Sequence, residues 1–491
     1  MYDTHIKKLL SQTVIYGIGI ALNRAVSLIL IPLYTYYFST DELGLLNLVQ
    51  SLWFFIILFY IYGTETSFIK KFIDAKNHTD KAQIYSTTLL LLTITSILFS
   101  VILYLIAPTI SKLFVFKQEQ EATFLLQILS FLLFFDTLFR FPLLLLRAEM
   151  KPTSYLLLNI ISLILNVSLN FVFILVLHYN IESIFYSYII SVFITFLLGL
   201  ILTKKYLKLT FSFKRAIELI SYGNKFIYIG VFLLLIEISD RFFLKYYFDE
   251  SIVGIYSTSY RLASVMSLLI AAFKFSWTPY FLNLSNDTNN KEVVARVFTS
   301  YVYIGLFMFL LFSFYTEPIV SFPFWGFSFL NANFQSGLVI VPLILLSHFF
   351  SGLYSNMNVA PFFTEKTFYL LFSSFVGFII NFVLNILLIP HFGMVGAAFV
   401  TLFTYIIMFL VIYYFSQQIY IIQYQWKKLA ILALLSVICF SAHSLVKLLT
   451  DYKLISLIID FILLAGYITF ASKLGIAKLS TITNILMPRL K

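Results

Sequence analysis

Apolar residues run along this chain in blocks of about twenty, separated by short polar connectors, and about fourteen such blocks can be drawn. They lie near residues 13–38, 44–63, 84–107, 122–146, 155–178, 182–203, 226–246, 251–274, 297–316, 335–356, 368–389, 394–416, 427–447 and 454–471. Each is long enough to cross a hydrocarbon core of about 30 Å at about 1.5 Å per residue. Backbone amides in that core must bond internally, so the predicted elements are helices. The seventh block is the most polar, interrupted by Glu237, Asp240 and Arg241. The fold class expected is an all-α polytopic membrane protein.

Basic residues set a direction across the bilayer. With the N-terminus inside, the outside loops hold Lys112, Lys117, Arg241, Lys245, Lys447 and Lys453, and inside connectors hold most of the remainder. That asymmetry predicts cytoplasmic N- and C-termini. The opening stretch MYDTHIKKLLSQ runs into a block too long for a signal-peptide core and shows no small-residue cleavage site. The first span is therefore expected to act as the insertion signal. The longest inside connector, Lys204 to Lys225, is basic and partly amphipathic, which suits a helix lying at the inner interface.

Composition agrees and narrows the function classes. The 491 residues are 61% hydrophobic and 11% charged, where a soluble domain would carry about 25% charged residues. The net charge of +11 sits in loops between spans, so it reads as topology signalling and not as a nucleic-acid surface. The single Cys439 excludes a disulfide framework and a cysteine metal cluster. There is no phosphate-binding G-x-x-x-x-G-K-[ST] loop, no H-E-x-x-H and no G-x-S-x-G, and no loop is long enough for a catalytic domain. The sequence is not expected to encode an enzyme, and no cofactor is expected.

An internal repeat is visible. Tyr36, Tyr37, Phe38, Gly44 and Leu52 fall without a gap on Tyr246, Tyr247, Phe248, Gly254 and Leu262. Asn166 and Asn170 likewise fall on Asn381 and Asn385, and Glu149-Met-Lys151 on Thr364-Glu-Lys366. Offsets near 210 and 215 imply a duplicated unit of six helices. Six is even, so the copies share one orientation, with two helices left over at the C-terminus. The organisation expected is a six-helix lobe over 1–203, a cytoplasmic linker over 204–225, a second lobe over 226–416, and two further helices with a tail over 417–491.

Leu30-Ile-Pro-Leu-Tyr-Thr35 with Asp41-Glu-Leu-Gly44, Tyr62-Gly-Thr-Glu-Thr-Ser-Phe68, and Pro390-His-Phe-Gly393 with Gly396-Ala-Ala398 carry a likeness. With the duplicated lobes they make the chain resemble the multidrug/oligosaccharidyl-lipid/polysaccharide exporter superfamily. Within it the chain looks like the polysaccharide transporters, the O-antigen and capsule flippases, with lipid II flippases as near relatives. A cation that ends the family's second-span stretch is approximated here by Lys70 or Lys71. The resemblance implies alternating-access translocation of a polyprenyl-diphosphate-linked saccharide across the inner membrane of a bacterium. A proton or sodium gradient, or the membrane potential, would drive it. Partners implied are the lipid-linked saccharide, membrane lipids and a glycan polymerase complex.

Ionisable groups inside spans are the candidates for function, because burying each in lipid costs about 3 kcal/mol on insertion scales. Arg24, about 18 Å into the first span, and Arg261 in the eighth are expected to bind the diphosphate through the guanidinium fork. Lys274 is an expected entry contact. Asp136 and Arg140, four residues apart, read as an internal ion pair or a protonatable coupling pair. Glu237 and Arg241 repeat that spacing and are candidates for coupling or gating, with Asp240 beside them. Glu65 is a candidate gate or a partner for Lys70. His348 reads as packed polar filler, and Asp460 as a candidate contact to a lipid-tail groove or a second copy. The four repeated asparagines suit interhelical hydrogen bonds, and Pro32, Pro142 and Pro390 suit helix breaks. Two other readings remain open: a cation-coupled multidrug antiporter of the same superfamily, and a membrane-embedded glycosyl- or acyltransferase.

Overall fold

The computed structural model describes residues 26–114, 116–208, 210–223, 227–283, 290–324, 327–449, 453–473 and 475. Nearly all of these are helical. The first helices are α1 (Ile31–Tyr37), α2 (Thr40–Ile61), α3 (Thr64–Asp74), α4 (His78–Leu113), α5 (Glu119–Ala148), α6 (Pro152–Phe171) and α7 (Glu182–Thr203). The short α8 (Phe213–Gly223) precedes α9 (Ile227–Tyr247), α10 (Glu250–Ala263), α11 (Val265–Asn283) and α12 (Asn290–Ser321). A two-stranded hairpin, Pro323–Phe324 with Phe327–Ser328, leads into α13 (Val341–Met357). The chain continues through α14 (Val359–Phe363), α15 (Phe368–Ile419), α16 (Trp426–Leu449) and α17 (Lys453–Lys473).

Among the described residues, ten helices are long and apolar enough to cross a membrane. One of them, α15, has 52 residues, roughly 78 Å at the helical rise and too long for one crossing. It breaks at Gly393 (φ 53°, ψ −132°) and so supplies two spans. The 21-residue α9 keeps its helix despite Glu237, Asp240, Arg241 and Lys245.

Local chemistry explains the ends. Ser39 caps α2 with a full capping box, its hydroxyl accepting from the Glu42 amide while Glu42 reaches back to Ser39. Tyr62 and Gly63 both take left-handed φ, 35° and 74°, and separate α2 from α3. Pro152 pre-sets the first turn of α6 and Pro32 that of α1. Pro142, expected as a break, instead lies inside continuous α5. Its ring packs where Gly199 of α7 leaves room, since a Cβ on Gly199 would sit 2.7 Å from the Pro142 Cβ.

The repeat is legible in the backbone. Ser39 caps α2, and Asp249 at the equivalent position caps α10 by accepting from the Ile252 amide at 2.9 Å. Left-handed residues also recur at the second offset: Met150 (φ 54°) with Glu365 (φ 57°), and His178 (φ 53°) with Gly393 (φ 53°). The paired asparagines make the same contact twice. Asn170 donates to Asn166 Oδ1 at 2.7 Å, and Asn385 donates to Asn381 Oδ1 at 2.9 Å. They also join helices, as expected: Tyr34 donates to Asn170 at 2.8 Å and Ser239 to Asn381 at 2.8 Å.

The chain divides into two compact units, Met1–Thr258 with Phe378–Ala397 and Ser259–Gly377 with Ala398–Lys491. In the first, α5 is central and packs on α2, α4 and α7. In contrast, α4 turns Leu98, Val101 and Leu105 outward, Leu105 being 69% exposed, as a lipid-facing helix does. In the second, α12 is the hub for α13, α16 and α17.

Candidate functional site

Within the first unit, α5 carries Asp136 and Arg140 one turn apart. Asp136 is 1% exposed, so its carboxylate must be matched by partners. Among the described residues it has three. Arg140 donates from Nε at 3.2 Å and Nη2 at 3.1 Å, both to Oδ2. The indole of Trp53, from α2, donates to Oδ2 at 3.3 Å, and the Tyr188 hydroxyl, from α7, to Oδ1 at 3.1 Å. Trp53 and Tyr188 meet edge to face, with centroids 4.7 Å apart. Three helices thus hold one edge of the guanidinium in a fixed plane.

The other edge is available. Arg140 Nη1 lies 3.9 Å from Glu65 on α3, and the two side chains are 39% and 38% exposed. Of the two roles open to Glu65, gate or partner of Lys70, the structure does not show the pairing: the side chain faces Arg140, and Lys70 sits over the Tyr222 ring at 4.7 Å. Arg140 is eight residues from the last residue of α5, roughly 12 Å. A half-exposed guanidinium at that depth requires a polar space before it, since lipid tails offer no hydrogen bonds.

A second constellation lies where α2 crosses α10. A Cβ on Gly44 would stand 1.8 Å from the Glu250 carbonyl oxygen, and one on Gly254 would stand 2.1 Å from the Thr40 carbonyl oxygen. Gly44 and Gly254 are repeat equivalents, as are Thr40 and Glu250, so the same close approach is made from both sides. The Ser251 hydroxyl donates to Thr40 Oγ1 at 2.7 Å. Over this crossing lies Lys117, whose ammonium reaches Asp41 at 2.9 Å, Asp249 at 3.9 Å and Glu250 at 4.0 Å. Its backbone amide donates to Glu250 Oε1 at 2.9 Å, and Lys245 meets the same oxygen at 2.7 Å. The hydrogen bond to Asp41 pushes the Lys117 ammonium above its ordinary lysine range.

Arg24 lies outside the described residues. Arg261 on α10 and Lys274 on α11 are half-buried in the second unit. Arg241 pairs with the carboxylate of Asp240 at 3.0 Å and donates to the backbone carbonyl of Glu237 at 2.5 Å. The buried acid of α9 is therefore Asp240, which also accepts from the Tyr256 hydroxyl, and the i,i+4 pairing expected for Glu237 and Arg241 runs through main chain. His348 packs edge-on to Tyr260, at 5.5 Å. Asp460 is bound to His443, which sequence reading did not single out.

At one end of the first unit the basic connector folds back onto it as α8. Gly63 and Gly223 touch backbone to backbone: a Cβ on Gly63 would stand 2.1 Å from the Gly223 carbonyl oxygen. Lys71 meets Glu218 at 3.0 Å and Arg215 meets Asp80 at 2.7 Å. The hydrogen bond from Lys71 lowers the Glu218 carboxyl below its usual range. Beside it, Glu149 accepts from Lys205 at 2.5 Å and Tyr206 at 2.6 Å and pairs with Lys151 at 2.8 Å. Partial burial of Glu149 opposes ionisation, but those three donors together outweigh it and hold the carboxyl at about 2.

Trp53, Tyr188, Lys117, Glu250 and His443 had no signal in the sequence that tied them to a site. Their spacing from their partners is set by how helices pack, not by any local motif.

The family model described as polysaccharide biosynthesis protein matches residues 37–333. No curated protein shows significant sequence similarity. Among solved structures, the lipid II flippase MurJ in its inward closed conformation superposes with a TM-score of 0.76 at 17% identity, covering 94% of this chain and 99% of that one. An inward-facing multidrug resistance transporter of the MATE family, in the MOP superfamily, gives 0.67 at 13% identity, covering 82% and 95%. A mutant of the Vibrio cholerae MATE transporter VcmN gives 0.60 at 14% identity, covering 84% and 98%. These are likenesses of fold.

Proposed function

Because this chain belongs to the polysaccharide biosynthesis protein family, we propose that it is a flippase for a polyprenyl-diphosphate-linked oligosaccharide, such as an O-antigen, capsule or exopolysaccharide repeat unit. It sits in the inner membrane of a bacterium with fourteen spans and both termini cytoplasmic. The observation that carries the reading is Arg140: one edge is locked by the buried Asp136, and the other faces the half-exposed Glu65; on this reading the near end of α5 is the cytoplasmic one. An oriented guanidinium with an open edge is suited to phosphate oxygens, which it meets in a bidentate fork. The saccharide diphosphate would enter from the inner leaflet, displace Glu65 and take that edge, while the polyprenyl tail stays in lipid. Arg24, Arg261 and Lys274 keep the roles expected of them from sequence.

Alternating access needs a closed end opposite the entry. The crossing of α2 with α10 under Lys117 is that closure, on the outer side. Energy comes from an ion gradient or the membrane potential, with no cofactor and no covalent chemistry. The antiporter reading is weaker, because a drug cation would have to compete with the resident Arg140 for Asp136.

The test is complementation of a strain lacking the protein. Arg140→Ala should abolish surface glycan and leave lipid-linked precursor on the cytoplasmic side, while Arg140→Lys restores part of the display. Full rescue by Arg140→Ala, at normal protein level, would remove the basis of the proposal.

A further inference from the structure

In the second unit, α16 and α17 pack on each other and on α12, and a polar pair is buried among them. His443 Nδ1 lies 2.7 Å from Asp460 Oδ1. Asp460 is 1% exposed, and its second oxygen has no hydrogen-bond partner among the described residues. The His443 ring stacks on Phe314 of α12, with centroids 4.4 Å apart and planes 18° apart. The histidine side chain is 12% exposed, so the ring keeps an edge toward the surface.

Counting protons on the pair shows what it can hold. One proton on Nδ1, donated to the carboxylate, leaves a buried net negative charge with an unsatisfied oxygen. A second proton, on Nε2, converts it to an imidazolium–carboxylate pair with no net charge. Burying an uncompensated charge costs more than burying a matched pair, and an imidazolium also gains from the face of Phe314. Among the described residues, no other cation pairs with Asp460 directly. From α12 the neighbouring groups are Tyr315, within electrostatic reach of Asp460, and Glu317, which is already paired with Lys447 of α16. Among the described residues, Cys439 on α16 and Tyr467 on α17 are the other titratable groups beside the pair, and the Tyr467 hydroxyl is given to the Tyr303 carbonyl at 3.2 Å.

We propose that His443 and Asp460 form a proton-binding site that fastens α16 and α17 to α12. With the proton bound, the pair is neutral and the three helices close over it. When the proton leaves, the buried carboxylate is uncompensated and the hairpin of α16 and α17 loosens. The fastening therefore responds to the acidity of the adjoining medium. The lipid-tail contact expected of Asp460 gives way to this role: the apolar groove between α12 and α17 is lined by Leu454, Leu457, Ile458 and Phe461 of α17, and Asp460 is not among its walls. This site stands apart from the transport reading and survives its failure.

The chain's single cysteine is a built-in reporter. Cys439 is buried one turn from His443, its thiol directed at the Leu463 carbonyl of α17 at 3.9 Å. The full-length protein in detergent is labelled with N-ethylmaleimide at a series of pH values, each rate divided by that of the detergent-unfolded chain at the same pH to cancel thiol ionisation. The ratio in the native chain should rise about tenfold from the acidic to the alkaline end of the series, the scale of losing one hydrogen bond to a charged group. Asp460→Asn and His443→Gln should each flatten the profile. The double variant His443→Gln/Asp460→Asn is neutral at every pH and can hydrogen-bond across the same gap, so it serves if a single variant misfolds. A flat ratio in the native chain, or a pH step that persists in the double variant, overturns the proposal.

Discussion

Replacing Gly44 by alanine tests the proposed closure directly. The new Cβ would stand 1.8 Å from the Glu250 carbonyl oxygen, so α2 and α10 must move apart by roughly 1.5 Å to reach van der Waals contact. Overpacking of this kind costs about 1–3 kcal/mol, and the Ser251–Thr40 hydrogen bond, worth about 1 kcal/mol, is lost with it. The Lys117 contacts add little, because that side chain is 53% exposed and solvent screens such pairs to at most about 1 kcal/mol. The sum, about 2–4 kcal/mol, would lower the closed-to-open ratio by a factor of roughly 30–1000. Ser51, 3% exposed and farther along α2, reports opening as a Ser51→Cys change in a Cys439→Ala background. A membrane-impermeant thiol reagent added outside should label it at least about tenfold faster once Gly44→Ala is introduced. Gly254→Ala should act alike, because it meets the Thr40 carbonyl in the mirrored contact. Gly230→Ala, whose Cβ would meet none of the described residues within 4 Å, should not. If Gly44→Ala lowers the melting temperature yet leaves Ser51→Cys protected, the crossing is static packing and the reasoning fails.

Further expectations concern the charged groups. Asp136→Asn should weaken display of surface glycan at least about tenfold while the protein still reaches the membrane, because it frees Arg140 from its plane, an interaction worth about 1.5–3 kcal/mol; unchanged display would show that the orientation is unimportant. Lys117→Met should speed the same Ser51→Cys labelling by a smaller factor than Gly44→Ala, and added salt should mimic it in the native chain; insensitivity to both would reduce Lys117 to decoration. Glu149 contributes stability that is present above the ordinary glutamate range near about pH 4.3 and is lost as pH falls toward its folded value of about 2. Melting in detergent should therefore drop between about pH 5 and about pH 3 by the equivalent of about 1 kcal/mol, discounted for its half-exposed lysine partners. Glu149→Gln should remove that step, and a step of equal size in the variant would assign it elsewhere. Gly223→Ala should detach α8, measured as faster proteolysis in the 204–225 connector, since its Cβ would stand 2.7 Å from the Gly63 backbone.

The chain by itself determined its solvent. Blocks of apolar residues with nowhere to place an unpaired amide require helices in a bilayer, and the repeated Tyr-Tyr-Phe and asparagine positions declare a duplication that the backbone then reproduces in caps and left-handed turns. The Asp136–Arg140 pair was equally legible, because i,i+4 neighbours meet on any helix. The pairing of Arg241 was not: the i,i+4 spacing pointed to Glu237, whereas the carboxylate it meets is that of Asp240.

What tertiary structure alone decided are the meetings of residues far apart in sequence. Trp53 and Tyr188 reach Asp136, Glu65 turns to Arg140, Lys117 bridges both copies of the duplicated hairpin, and His443 finds Asp460. No periodicity encodes these contacts, for a helix fixes which residues share a face but not which neighbour that face will meet. That choice belongs to side-chain volume at the crossings. Gly44 and Gly254 show it most plainly, because removing two side chains lets backbones touch and so sets the distance at which every charge above them sits.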